Sequence, residues 1–462
     1  MLACGEPAGR RVRRVIIDAV TLPRRALLST GLAATAAALT GCGRESGRSS
    51  AWIEPESSGQ PPTPAPSPAR SAAPARTTPA PAAAPPYAAE VRATLARYLK
   101  PTRDNPDHPG YAGGVVLVLE DGRTRLLTAA GHALRYGAGP VELPPGRRVA
   151  MRPDSIFDLA SLTKVYTAIL TLQLVDKGKV RLSAPVQRYL PAFTGAGKEN
   201  ITVAMLLAHT GALPVGAKVS GLDTTAEQWQ SVLTTPLVTG GVPGTTFRYS
   251  SVGLMVLGRL VEKLTGKTLD KALRDNLTTP LGLRDTGFQP KRWVSDPSRL
   301  VATDARSSRG LLRGVVHDDV CYRLGGVAGH AGIFATARDV AVIGQMLLNG
   351  GTHHGRRILS AAVVEQMLTN VNKGKPAIDA ERPGRSADHG LGVELNQPWF
   401  MGRLSAPTSF GHTGFTGTSL LVVPSRRRVV VLLTNRAHPN WSWSNPDVHR
   451  VAVHNAIARG TS

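Results

Sequence analysis

The sequence predicts an α+β fold, in which an antiparallel sheet flanked by N- and C-terminal helices adjoins a mostly helical second lobe. Three observations predict it: an apolar hairpin near the front of the chain, a second hairpin near its end, and a run of helical patterns between them. Consecutive helices between antiparallel strands argue against a doubly wound parallel sheet. The 462 residues also exceed one ordinary domain of about 150 residues, which favours two lobes or a domain with tails.

The individual elements follow from local patterns. A helix is predicted over 88–100 and is ended by Pro101, and the front hairpin joins 113–119 to 124–129 through the turn pair Asp121-Gly122. The later elements are predicted as helices at 161–175, 202–208, 251–264 and 338–348, strands at 418–423 and 429–433, and a last helix at 447–458. Pairing the two hairpins in one sheet, with the terminal helices on one face, leaves a cleft beside the helical lobe, where functional sites commonly lie.

Residues 1–42 are predicted to be an export signal. Arg24-Arg25 precede an apolar run of about 14 residues, which is too short to span a bilayer. The run ends at Leu39-Thr40-Gly41-Cys42, so the segment resembles a twin-arginine signal closed by a bacterial lipobox. This resemblance implies that Cys42 is lipidated and anchors the exported chain to the outer side of the cytoplasmic membrane or the cell wall. A secretory signal that is simply cleaved remains the alternative.

Residues 43–86 are predicted to be a disordered tether rich in Pro, Ala and Ser. Eleven of the 35 prolines fall in 51–86, where Trp52 and Ile53 are the only large apolar side chains. Such a segment cannot bury enough apolar surface to offset the entropy lost on ordering it. The folded domain is therefore expected to span 87–462.

The charge and the cysteine count exclude several classes of function. The net charge of +23 suggests nucleic-acid binding, but ten Arg and five acidic residues in 1–86 leave +18 spread singly over the remainder, without a basic stripe or a known motif. We therefore predict no nucleic-acid partner. The three cysteines, two of them in the export signal, build no disulfide framework or thiolate cluster. Neither a zinc helix, nor a phosphate loop, nor a Gly-x-Ser-x-Gly elbow occurs, so we predict no metal and no cofactor.

The pattern with the clearest chemistry is Ser161-Leu162-Thr163-Lys164 at the start of a predicted helix. Residues three apart share one helix face, so the lysine amine can reach the serine hydroxyl. A serine needs such a base to become a nucleophile, and a lysine can act as one when burial lowers its pKa toward neutrality. Taken alone the pattern is weak, because a helix start with an exposed lysine explains it equally well.

Two further groups strengthen this interpretation. Tyr249-Ser250-Ser251 precedes a helix, and Gly411-His412-Thr413-Gly414-Phe415 leads into a strand. In this order the three groups resemble serine β-lactamases and penicillin-binding proteins, and most closely the class C β-lactamase-like family, which includes DD-peptidases, D-aminopeptidases and esterases. Further likenesses at 206–211, 329–334 and 411–435 extend the resemblance over nearly all of 88–460. It implies a β-lactamase/transpeptidase-like fold.

The resemblance also implies catalytic roles. Ser161 would attack a carbonyl to form an acyl-enzyme, and Lys164 would accept its proton. Tyr249 would pass the proton to the leaving group, with a phenolate character favoured by nearby positive charge. His412 would line the strand edge and contact a substrate carboxylate or the proton network.

The resemblance further implies a substrate-binding set. The N–H groups of Ser161 and Phe415 would form an oxyanion hole, and Ser251, Thr413 and Gly414 would complete the binding surface. Ser251 stands where the family pattern has Asn, and a role as helix N-cap is the open alternative.

Three histidines need separate interpretation. His412 replaces a lysine of the lactamase pattern and is expected to titrate near neutrality. Together with Ser251 it points away from an efficient β-lactamase. His209 is assigned no role, and His330 is left open as a residue that borders the cleft.

The predicted function is therefore that of an exported serine hydrolase acting on amide or ester carbonyls of a small-molecule or peptidoglycan-derived substrate. DD-carboxypeptidase, esterase and weak β-lactamase activities are not ranked by the residues. Two alternatives differ in class: a slowly acylating penicillin-binding or cell-wall-binding protein without significant turnover, and a basic surface protein that holds anionic wall polymers.

Overall fold

The computed structural model describes residues 84–460 of the chain. The predicted export signal, Cys42 and nearly all of the predicted tether lie outside these residues. Within 84–460, none of the helices has the length and apolar character needed to cross a membrane.

Helices make up much of the described region. In chain order they are α1 Ala88–Arg97, α2 Thr163–Asp176, α3 Val203–Leu207, α4 Thr225–Thr234, α5 Ser251–Thr265, α6 Leu269–Leu273, α7 Thr279–Leu281, α8 Asp319–Arg323, α9 Ala337–Leu348, α10 Ala361–Leu368, α11 Pro398–Met401 and α12 Pro446–Arg459.

The strands of the described region are mostly short, and the long ones lie near the two ends of the chain. In chain order they are β1 Gly113–Glu120, β2 Arg123–Leu134, β3 Tyr136–Gly137, β4 Val141–Glu142, β5 Val149–Ala150, β6 Phe157–Asp158, β7 Phe247–Arg248, β8 Thr286–Phe288, β9 Ala302–Asp304, β10 Leu312–Arg313, β11 Ile333–Ala335, β12 Thr352–His353, β13 Arg356–Arg357, β14 Ala377–Ile378, β15 Glu394–Leu395, β16 Phe410–Gly414, β17 Thr418–Val423 and β18 Arg428–Thr434.

One antiparallel sheet joins the front and the back of the chain. Its seven strands lie in the order β15-β16-β17-β18-β1-β2-β5, and β1 pairs with β18 in a register that places Val116 opposite Leu432. The turn between β1 and β2 has positive φ at both Asp121 and Gly122, 50° and 73°, which matches the twist of a tight hairpin. The predicted pairing of the two hairpins in one sheet is confirmed.

Both faces of this sheet are covered, because successive side chains of a strand point to opposite sides. On β1, Val116 and Val118 pack with the terminal helices α1 and α12. Val115 and Leu117 belong to the large core that also contains α9 and the helical lobe. The predicted covering of one sheet face by the two terminal helices is therefore confirmed.

The helical lobe is built around α2, in which twelve of the fourteen residues are buried. The sequence prediction started this helix at Ser161, but α2 starts at Thr163, and Ser161 lies in a preceding 3₁₀ turn, Ala160–Leu162. The first helix likewise ends at Arg97 rather than at 100. The sequence analysis does not predict α4 and α10, which are short helices of 10 and 8 residues between loops.

Candidate active site

Ser161 is held by a tightly bonded turn at the junction of the sheet and the helical lobe. The preceding Ala160 has a positive φ of 48°, a conformation that a residue with a side chain rarely adopts. The buried Asp158 carboxylate holds this turn, since it accepts hydrogen bonds from the N–H groups of Ala160 (2.9 Å) and His317 (2.7 Å). The backbone around Ser161 is thus fixed before any ligand binds.

Lys164 lies within hydrogen-bond distance of Ser161. Its Nζ is 2.9 Å from Ser161 Oγ and donates to the His330 carbonyl oxygen at 3.2 Å. The side chain is fully buried, and burial lowers the pKa of Lys164 to about 7, although the carboxylates of Asp318 and Glu394 partly oppose this shift. At neutral pH a substantial fraction of Lys164 is therefore the neutral amine that a general base requires.

Tyr249 lies against the same two groups. Its hydroxyl interacts with the Ser161 side chain, and its ring centroid is 5.0 Å from Lys164 Nζ. Burial raises the pKa of Tyr249 well above its ordinary value, so the group is a neutral phenol. The expected phenolate character is wrong, because loss of hydration outweighs the attraction of nearby cations.

His209 supports Tyr249 from behind. Its ring is 4.7 Å from the Tyr249 ring, and its Nδ1 accepts the N–H of Ser250 at 3.1 Å. It is buried and does not line the cleft, which agrees with the absence of an assigned chemical role.

Ser251 is not the N-cap of α5. The Ser250 side chain accepts the Gly253 N–H and caps the helix, whereas Ser251 is its first residue and lines the cleft beside Ser161. The N-cap alternative is therefore wrong for Ser251. The hydrogen-bond pattern, which depends on backbone conformation, places that role one residue earlier.

His412 lies on β16, near Tyr249, with 6.3 Å between the ring centroids. Its Nδ1 is 2.8 Å from the Thr413 carbonyl oxygen, which can only accept, so the neutral ring carries its proton on Nδ1 and presents Nε2 as an acceptor. Burial, aided by the charge of Lys164, lowers the pKa of His412 to about 3. The expectation that His412 titrates near neutrality is wrong.

The end of β16 closes onto the Ser161 turn. A Cβ on Gly414 would lie 2.2 Å from the Leu159 carbonyl oxygen, so only glycine permits this approach. The hydroxyls of Thr416 and Thr418 donate to the carbonyls of Asp158 (2.7 Å) and Leu159 (2.9 Å). These contacts bring Phe415 beside the nucleophile turn.

A single cleft contains the predicted binding residues. It has a volume of about 810 Å³, and its lining includes Ser161, Tyr249, Ser251, Thr413, Gly414 and Phe415. Lys164 and His412 lie in the wall behind them and are buried. His330 is buried and does not line the cleft, but its ring Nε2 is 3.0 Å from Asp318, which does.

Several site residues escaped the sequence analysis. Asp318, Glu394 and Arg450 come from distant segments and carry no local pattern. Arg248 lies directly before Tyr249, and this position next to a predicted site residue was the sequence signal that could have identified it.

Arg248 differs from every other charged side chain in the cleft lining. The others bond to protein groups: Asp318 to His330, and Asp379, Glu381, Arg382, Arg385, Glu394, Arg436, Asp447 and Arg450 to one another or to backbone carbonyls. Within 84–460, the Arg248 side chain has neither an ion pair nor a hydrogen bond. The cleft therefore offers a ligand one unpaired positive charge.

Potential metal-ligand side chains are not clustered in the described part of the chain. In that part, no cluster of three or more His, Cys, Asp or Glu side chains has an arrangement that could hold a metal ion. Cys321 is buried as a free thiol.

Comparison with known proteins agrees with this geometry. The family model described as Beta-lactamase matches residues 102–454. A protein of Escherichia coli K12, provisionally named D-alanyl-D-alanine carboxypeptidase, is 30% identical over 362 residues, which cover 71% of this chain and 79% of that protein. The N-acetylmuramyl-L-alanine amidase of Bacillus subtilis 168 is 30% identical over 355 residues, with 71% and 78% covered.

A solved structure shares the fold. It is a penicillin-binding protein homolog from Caulobacter crescentus, with a TM-score of 0.60 and 21% identity over 81% of this chain and 97% of that one. The family match, which covers most of the described residues, and the pairing of Ser161 with Lys164 lead to one conclusion. The chain belongs to the β-lactamase family of serine hydrolases.

Proposed function

We propose that this protein is an exported, membrane-tethered amidohydrolase that forms an acyl-enzyme on Ser161 and acts on carboxylate-bearing peptides derived from peptidoglycan. The observation that carries the proposal is the 2.9 Å contact between Ser161 Oγ and a fully buried Lys164 amine. A serine hydroxyl beside a lysine of which a substantial fraction is neutral at pH 7 has the base that an activated nucleophile requires.

The groups of the site account for each step. Ser161 Oγ attacks the carbonyl carbon while its proton moves to the neutral Lys164 amine. The N–H groups of Ser161 and Phe415 stabilise the resulting oxyanion, each typically by about 3 kcal/mol. Tyr249 relays the proton to the leaving amine as the C–N bond breaks. Water then hydrolyses the ester on Ser161 and releases the acid.

Two features favour a peptidoglycan-derived substrate. Both curated relatives carry names of enzymes that cleave amide bonds of peptidoglycan. The unpaired Arg248 guanidinium in the cleft suits a substrate carboxylate, because charge-assisted bonds to carboxylates are the strong ones. The lipobox-like ending at Cys42 and the Pro-rich segment after it support tethering at the outer face of the membrane, where such substrates occur.

An esterase is the second candidate. Four of the exposed large apolar side chains in the described region line the cleft: Val215, Ile378, Phe415 and Trp441. Exposed apolar surface at a site indicates contact with an apolar ligand group, and an ester with an apolar acyl chain would supply one.

Covalent labelling tests the proposal. Wild type, Ser161→Ala and the exposed-site control Ser308→Ala are incubated with a fluorescent penicillin and with a fluorophosphonate, and label is followed by intact mass. We expect label on wild type and on the control but not on Ser161→Ala. Equal absence of label on all three would contradict the proposal, and label that persists without release would favour the slowly acylating alternative.

Leaving groups then separate the two candidates. A D-Ala-D-Ala peptide, a p-nitrophenyl ester and nitrocefin are compared at equal enzyme concentration. Faster turnover of the peptide supports the amidohydrolase, whereas turnover of the ester alone would favour the esterase.

A further inference from the structure

Arg450 is a buried arginine directed at the backbone of the active site. It lies on α12, is 1% exposed and heads the largest fully buried side chains of the described region. Its Nη2 donates to the carbonyl oxygens of Gly414 (2.6 Å) and Thr418 (3.0 Å), and its Nη1 donates to Asp447 at 2.8 Å. Burying a guanidinium is costly unless all its bonds are satisfied, so this position needs an explanation.

The Gly414 carbonyl belongs to the same peptide unit as the Phe415 N–H. In a planar trans peptide the C=O and the N–H point in opposite directions. Arg450 holds the Gly414 carbonyl toward α12, together with the Gly417 N–H, which donates to it at 3.0 Å. The Phe415 N–H of the same peptide unit therefore points away from that helix, and Phe415 lines the same cleft as Ser161. Within 84–460 no protein group accepts a hydrogen bond from the Phe415 N–H. It is free for a ligand oxygen.

The same bond changes the strength of this donor. A charged donor on a carbonyl oxygen polarises the amide, and hydrogen bonds in a chain strengthen one another at low dielectric. Burial lowers the pKa of Arg450 only to about 10, with Asp447 opposing the shift, so the guanidinium stays charged at neutral pH. The next peptide is also fixed, because Arg436 Nε donates to the Phe415 carbonyl at 2.7 Å.

We propose that Arg450, held by Asp447, is a positioning residue that sets the direction and donor strength of the Phe415 N–H in the oxyanion hole. The inference rests on the proposed acyl-enzyme at Ser161. It assigns α12 a role in catalysis, through the contact of Arg450 with the Gly414 carbonyl. The competing explanation is that Arg450 only anchors α12 to the sheet through Gly414 and Thr418. That role would affect stability without a selective effect on the oxyanion.

A matched pair of buried arginines separates the two explanations. Arg450→Met removes the charge and all donors at the active site. Arg428→Met removes a buried arginine, 4% exposed and paired with Glu120 at 2.8 Å, from the other end of the same sheet. Both variants lose a buried ion pair, so both are expected to lose thermal stability. Only Arg450→Met is expected to weaken the oxyanion hole.

Two readouts report on the oxyanion hole directly. The first is the affinity of an arylboronic acid, whose tetrahedral adduct with a serine mimics the charged intermediate. The second is the infrared carbonyl band of an acyl-enzyme formed from a carbon-13-labelled active ester. We expect Arg450→Met to weaken boronate binding and slow acylation by up to about 100-fold, the effect of removing one oxyanion donor completely. The carbonyl band should move to higher wavenumber.

Conservative variants keep the test valid if Arg450→Met does not fold. Arg450→Lys retains the charge without the fork that spans two carbonyls, and Asp447→Asn releases the guanidinium. For both variants we expect the carbonyl band to shift to higher wavenumber by less than in Arg450→Met. The inference would be overturned, without the proposed function, if every folded variant had the same carbonyl band position as Arg428→Met and a boronate affinity within about twofold of it. A wild-type protein that is never acylated would overturn the proposed function and this inference with it.

Discussion

One cationic side chain at the catalytic end of the central sheet, that of Lys164, is placed differently from the cationic side chains at the distal end. At the distal end, where β1 finishes at Glu120 and β18 begins at Arg428, charged side chains meet opposite charges: Arg428 pairs with Glu120 and Arg427 with Asp121. At the catalytic end, where β16 finishes at Gly414, the Lys164 amine contacts a hydroxyl and a carbonyl oxygen instead of a carboxylate.

This difference separates charge that stabilises the fold from charge reserved for chemistry. An exposed ion pair, such as that of Arg427 with Asp121, contributes modestly to stability. A buried amine without a counter-ion costs stability, and burial shifts its pKa into the range useful for catalysis. The catalytic end is therefore expected to respond to substitution in activity, and the distal end only in stability.

The largest effect is expected from Lys164→Met, which keeps the length of the side chain and removes the base. Acylation of Ser161 should fall by at least about 10³-fold, within the range for loss of a general base. The free energy of unfolding should rise by about 1–3 kcal/mol at pH 7, because the variant no longer buries an amine. Stopped-flow acylation and urea unfolding measure the two quantities.

The sign of this stability gain depends on pH. Since the pKa of folded Lys164, about 7, lies below its ordinary 10.5, the unfolded chain binds more protons between these values, and wild-type stability rises with pH across that window. The advantage of Lys164→Met should therefore be largest below pH 7 and shrink toward pH 10. A variant that is inactive but less stable than wild type at every pH would contradict the comparison.

The second largest effect is expected on the acid side of the pH–rate profile for acylation of the wild-type enzyme. Below about pH 7, Lys164 becomes protonated, so the acylation rate should fall about tenfold for each pH unit, or roughly 100-fold between pH 7 and 5. His412, with a pKa of about 3, stays neutral in this range and adds no second step. Melting temperatures across the same range verify that the protein stays folded. A flat profile from pH 5 to 8 would rule out Lys164 as the base.

The sequence predicted the secondary structure around this site and its main contact better than it predicted the protonation states of the site residues. The hairpins, the terminal helices and the contact of Ser161 with Lys164 follow from local periodicity and from spacing along one turn. The protonation states of Tyr249 and His412 do not, because burial depends on side chains that distant segments bring to the site. A residue type gives an ordinary pKa, and only the fold determines the loss of hydration.

The contact that Arg450 makes could not be predicted from the sequence either. Nothing in the local sequence near Arg450 indicates that its guanidinium contacts Gly414, because the two residues meet only through the packing of α12 on the sheet. Ser250 and Ser251 are a milder case, since both are good N-cap residues and only the backbone conformation selects Ser250. Long-range packing accounts for what local patterns missed.

A smaller effect is expected at Arg248, whose charge is unpaired but open to the cleft. Arg248→Gln should raise the KM for a peptide ending in a free carboxylate by about tenfold, the value of one charge-assisted hydrogen bond. The same peptide with a C-terminal amide should be unaffected, and kcat should change little for either. Arg292→Gln, at an exposed site, controls for net charge. Equal losses for both peptides would show that Arg248 does not bind the carboxylate.

The smallest effect is expected at the distal end, from Arg427→Gln. This residue and its partner Asp121 are 60% and 69% exposed, so water and salt screen the pair, and its loss should cost less than about 0.5 kcal/mol. Acylation of Ser161 should be unchanged, because the pair lies at the opposite end of the strands. Urea unfolding at low and high salt, with acylation rates on the same samples, measures both quantities. A change in acylation rate without a change in stability would mean that the distal charges act on the catalytic end, and the separation between the two ends would fail.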